Sequence, residues 1–122
     1  MNNVFTATIN LKTVSEANSS EHWTDKHKRH KLQKRLVFYN LMLKRPTITI
    51  PCVIKLTRVS PRFLDSHDNL PCSFKFIVDS ITNYIVPGKR VGMADSVPGI
   101  TIEYDQVKGL PKKHSIIIEI SC

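Results

Sequence analysis

The sequence predicts an α+β domain: a mixed sheet of about four strands with two helices packed on it, in the order β-α-β-α-β-β. Four segments are rich in β-branched residues and alternate or run apolar, whereas two longer stretches carry helix-start signals. A chain of 122 residues has interior for one core and not for two, so residues 1–122 read as a single domain.

Val4 to Thr13 (VFTATINLKT) places Phe5 and Ala7 on one face and Val4, Thr6 and Thr8 on the other, the pattern of a first strand. Ser15 to Glu21 (SEANSSE) is loop chemistry, because Ser and Asn side chains compete for nearby backbone groups. From Thr24, a fitting N-cap followed by Asp25, the chain runs without Gly or Pro until Pro46, giving a helix of about five turns. Its first half carries Lys26, Lys28, Arg29, Lys31, Lys34 and Arg35 and should meet solvent or phosphate. Leu32, Leu36, Val37, Tyr39 and Leu43 mark a packed C-terminal half.

Thr47 to Val59 is β-rich, with an edge, bulge or break expected near Pro51, which has no N–H for a ladder. Pro61 to Asn69 reads as loop, and Leu70 to Tyr84 as one helix with Pro71 in its first turn and Asp68 or Asn69 as its cap. Val86 to Gly99 holds three of the four glycines and reads as a long loop. Ile100 to Val107 and Ser115 to Ser121, separated by KGLPKKH, have the pattern of a hairpin with a basic turn.

Eighteen Lys plus Arg against 10 Asp plus Glu give a net charge of +8, which favours a polyanionic partner, nucleic acid before an anionic membrane surface. No apolar run nears the roughly 18 residues of a membrane span, and the N-terminus lacks a leader pattern, so a cytoplasmic protein with no membrane partner is expected. Cys52, Cys72 and Cys122 are widely spaced and contain no C-x-x-C, which points to reduced thiols.

Acidic residues are few, yet Asp65, Asp68, Asp79 and Asp95 all fall in the central loop, helix and loop. They can be read as caps and turn residues. That is the commoner role of such residues; the other reading is that carboxylates gathered in a positive chain hold a hard divalent cation such as Mg²⁺ or Mn²⁺ for phosphodiester hydrolysis. Of the five histidines, His27 and His30 sit among lysines without a carboxylate or Cys partner, and only His67 lies between acidic candidates. Trp23 and Tyr84 can stack on bases or pack at element ends.

Asp68-Asn69-Leu70, Lys75-x-x-x-Asp79, Asp95 and Tyr104-x-Gln106, with the lead-in LTRVSPRFLD and the early NSSEHW, resemble the signature of RusA-like Holliday-junction resolvases of phages and prophages. The likeness extends over most of the chain. It implies a homodimer that makes paired Mg²⁺-dependent nicks in four-way or otherwise branched DNA in a bacterial host, without an organic cofactor. By motif, Asp68 and Asp95 are implied metal ligands, with Asp65 as the third because Ser66 stands where the family often has Asp. Lys75 is the implied helix lysine that stabilises charge on the phosphate; as a plain surface residue it would pair with Asp79. Asp79 is read either as an outer partner of that site or as the salt-bridge mate of Lys75, and His67 as an outer partner or a general-base candidate. Val97 and Gly99 also depart from the pattern, where another Asp and a basic residue are common. Lys26, Lys28, Arg29, Lys31, Arg62, Lys89, Arg90, Lys112 and Lys113 are the expected DNA contacts. The alternative is a relative that binds junctions and has lost catalysis.

Overall fold

A computed structural model describes residues 1–14, 22–66, 69–87 and 97–122. Alternation forms the first strand, β1, Asn3–Ile9, in which Phe5, Ala7 and Ile9 are buried while Thr6 and Thr8 face outward. It ends before Thr13, although Leu11 and Thr13 continue inward and stay buried. β2 is Cys52–Ser60, so Thr47 to Pro51 lies outside the strand, as Pro51 requires. β3 is Ile100–Lys108 and β4 is Ser115–Ser121.

The four strands form one mixed sheet in the order β1-β4-β2-β3, with β4 antiparallel to β1 and β2 and with β2 parallel to β3. This corrects the expected hairpin: β3 and β4 are not neighbours, because β2 lies between them. Burial explains the order. Ile116, Ile118 and Ile120 of β4 and Cys52, Ile54 and Leu56 of β2 are nearly inaccessible, and such strands gain most from a neighbour on each side. In β3 one residue in two is charged or otherwise exposed, which suits an edge. The chain leaving β3 crosses the end of β2 at Gly109, whose N–H donates to the Ser60 carbonyl (2.9 Å). A Cβ there would stand 3.0 Å from Val59 Cγ1.

The first helix, α1, spans Trp23–Lys44. Its N-cap is His22 and not Thr24: the His22 ring nitrogen accepts from the Thr24 N–H (3.3 Å) and also meets the Thr24 hydroxyl. Burial follows one line, Gln33, Val37 and Leu41. Tyr39 and Leu43, expected in the core, are 60% and 66% exposed, because the apolar residues of α1 wrap around the helix and only one line of them can face the sheet.

Leu70 to Tyr84 is two helices, which raises the count among the described residues to three: α2, Asn69–Ser73, and α3, Lys75–Ile85. The break has a local cause. Ser73 Oγ donates to the Leu70 carbonyl (2.7 Å), and the Phe74 N–H turns to Pro71 (3.1 Å), so the i to i−4 ladder is interrupted at Phe74. The Phe74 ring is fully buried beside Tyr104, with ring centroids 6.0 Å apart. Together α2 and α3 make the crossover that parallel strands need. The three thiols are free, and burial, followed by the nearby Cys122, pushes that of Cys52 up. Among the described residues no helix is long and apolar enough to cross a membrane.

Candidate metal and nucleic-acid site

The loop between β2 and α2 carries Asp65, and two side chains from the sheet hold it. Gln106 of β3 grips Leu64 from both directions: its Nε2 donates to the Leu64 carbonyl (2.7 Å) and its Oε1 accepts the Leu64 N–H (2.9 Å). Arg58 of β2 donates through one terminal nitrogen to the Arg62 carbonyl (2.7 Å), while its Nε and other terminal nitrogen reach Thr13 Oγ1 (3.1 Å) and the Thr13 carbonyl (3.3 Å). The Asp65 carbonyl then accepts the Leu70 N–H (2.8 Å), joining the loop to the first turn of α2. The Asp65 side chain is exposed.

Lys75 opens α3 and is exposed, with its Nζ 5.6 Å from the centre of the Phe76 ring. His30 stacks on the same ring (3.7 Å between centroids) and Lys34 lies 5.4 Å from it, so Phe76 gathers basic groups from two helices. Asp79, on the next turn, is half-buried. The contacts His30–Phe76, Ser80–Lys34 and Tyr84–Pro46 follow α1 and α3 in the same direction, so the first turns of α1 lie beyond the start of α3. Lys26, Lys28, Arg29 and Lys31 therefore stand at the same end of the molecule as Lys75 and Asp65. Trp23 is there too and is 71% exposed, whereas Tyr84 is a packing residue whose hydroxyl donates to the Pro46 carbonyl (2.9 Å).

Arg62, Lys112 and Lys113 reach that end by another route. The pairing sets Ile9 and Arg58 both beside Ile116, so the exits of β1, β2 and β3 and the start of β4 coincide there. Between Lys12, Arg58, Ser60, Arg62, Lys112 and His114 lies a cavity of about 460 Å³. His114 Nδ1 is 3.2 Å from Ser60 Oγ, and partial burial, then Lys12 and Arg58, push its pKa down. Burial also lowers that of Arg58.

His67, Asp68, Lys89, Arg90 and Asp95 lie outside the described residues. Their flanks are placed. Asn69 begins α2 at the exit end of β2. Val97, two residues after Asp95, is at the entry end, where the Gly99 carbonyl accepts the Cys52 N–H (2.8 Å). A nine-residue strand separates those ends by about 26 Å. Both departures at this turn have a packing cause. Val97 is 8% exposed within the core, where a carboxylate would be desolvated, and a Cβ at Gly99 would fall 2.2 Å from Ile50 Cγ2. Among the described residues no three of His, Cys, Asp and Glu come together as a metal group, and Asp65 is the only expected ligand within them.

Arg58 has no role in the sequence reading, and Gln106 enters only through the signature. The signal for Arg58 was its parity: it shares the inward register of Ile54 and Leu56, an unusual place for a charge. No protein-family model matches the chain, and no curated protein matches it.

Proposed function

We propose that this protein is a RusA-like, metal-dependent endodeoxyribonuclease that resolves four-way or other branched DNA by paired nicks, acting as a homodimer in a bacterial cell that carries the phage or prophage. The observation that carries this reading is the gathering at one end of the fold of a clamped acidic loop, the Lys75 helix start and the basic turns of α1. Asp65, with Asp68, would hold Mg²⁺ or Mn²⁺. Bound there, the ion supplies Lewis acidity to the scissile phosphate and lowers the pKa of a water. Lys75 would offset the charge that develops on the phosphoryl oxygens. Gln106 and Arg58 hold the chain at Leu64 and Arg62, so that the approach to Asp65 need not be ordered at each turnover.

The test is cleavage of a labelled four-way junction beside a linear duplex, with Mg²⁺ or EDTA. The expected result is symmetric, Mg²⁺-dependent cutting of the junction alone. The variants Asp68→Asn and Asp65→Asn should each reduce it roughly a hundredfold or more, since a lost ligand forfeits several kcal/mol of charge stabilisation. A second reading, a junction binder without catalysis, is favoured by Ser66 and by the position of Val97 at the far end of the sheet from Asp65. Tight junction binding with no cuts under either metal would select it.

A further inference from the structure

Arg58 is only 7% exposed, yet the partners of its guanidinium are neutral oxygens: Thr13 Oγ1, the Thr13 carbonyl and the Arg62 carbonyl. Three of the five N–H donors of an arginine are thereby engaged, and the charge itself meets no carboxylate among the described residues. A buried cation without a counter-ion costs several kcal/mol. The cavity above it compounds the imbalance, because Lys12, Arg62, Lys112 and His114 line it and, among the described residues, no acidic one does. Arg58 bonds Thr13, next to Lys12, and the backbone of Arg62, and His114 lies against Ser60, so the backbone that carries these cations is tied to the sheet. A volume of about 460 Å³ lies within the range of about 300–1,000 Å³ usual for small-ligand sites.

We propose that this cavity is a phosphate-binding pocket, with Arg58 as its floor and Lys12, Arg62 and Lys112 as its rim, and that the phosphate belongs to a nucleic-acid strand. A phosphate oxygen can accept the remaining Arg58 donors and supply the negative charge that none of the described residues brings to it. Phe63, 60% exposed on the same wall, offers a face for the adjoining sugar or base. Naming a strand as the source rests on the nuclease reading; the phosphate chemistry does not.

The experiment is an NMR titration of the full chain in EDTA, following Arg58 Nε–H and the His114 ring, with inorganic phosphate in one arm and a short DNA strand in the other. Lys12, Arg58, Ser60 and Lys112 line the cavity with His114 and none of them is acidic, so a bound phosphate should raise its titration midpoint. Both resonances should shift saturably. Lys12→Gln and Arg62→Gln, at exposed positions that spare the buried arginine, should each weaken binding about tenfold, while Lys31→Gln on α1 should leave the phosphate arm unchanged. Saturation by inorganic phosphate alone would overturn the assignment to a strand, and saturation in neither arm would overturn the pocket. Because EDTA removes catalysis from the measurement, failure of the nicking assay leaves this result standing, and failure here leaves the nicking assay standing.

Discussion

Gln33 is fully buried on the inner line of α1, and among the described residues neither its amide oxygen nor its amide nitrogen has a hydrogen-bond partner. Thr82 Oγ1, in α3, is in the same condition. An unsatisfied buried amide costs more than a hydrogen bond returns when it forms, so an apolar side chain of similar shape should do better at this position. Gln33→Leu is expected to raise the unfolding free energy by about 1–3 kcal/mol, and Thr82→Val by about 1 kcal/mol. Denaturant titration checks both, and a fall in the midpoint for Gln33→Leu would mean that the amide is bonded. Arg58 is the counter-example, a buried polar group whose three bonds secure two loops. Composition could not tell the two apart. Helical spacing put Gln33 in line with Val37 without saying that this line faces inward, whereas strand parity already pointed Arg58 toward the core.

Among the elements, those that depend on local pattern were legible. β1 and β4 declare themselves by alternation and by an isoleucine run, and α1 by its length without Gly or Pro. What depends on neighbours was not. The break at Phe74 arises from the Ser73 hydroxyl taking the Leu70 carbonyl, and the parallel partner of β3 is decided by which strands bury both flanks. The turn into β3 has a strict requirement as well. Gly99 has φ +88° and faces Ile50 Cγ2, so Gly99→Ala combines backbone strain with a clash. A loss of about 2–4 kcal/mol is expected, with hydrogen exchange quickened first at Cys52, whose N–H bonds the Gly99 carbonyl. Unchanged exchange at Cys52 would show that the turn yields without disturbing β2.

For the whole molecule, net charge was readable from composition and its placement was not. The excess of +8 could have been spread evenly, but the strand exits and the start of α1 bring Lys12, Arg58, Arg62, Lys112 and the α1 cations to one end. If about six phosphates are contacted there, affinity for DNA should fall on the order of a thousandfold between 50 and 200 mM salt. Anisotropy titrations over that range check the slope, and a nearly flat one would remove the phosphate backbone as the main source of affinity. Other surface charges are of lesser weight: the Lys55–Asp105 pair at 4.0 Å is about half exposed on each side and is worth little.

The order β1-β4-β2-β3 also has a kinetic side. β1 finds its partner more than a hundred residues later in the chain, where Asn2 and Cys122 exchange backbone hydrogen bonds of 3.1 and 3.0 Å. Until β4 emerges from the ribosome, neither β1 nor the inner flank of β2 has its ladder, and the backbone N–H and C=O groups along both wait unpaired. The contact map is dominated by pairings between distant residues, so the chain belongs with slow folders, and the sheet closes only when its last strand is inserted between two that were made earlier.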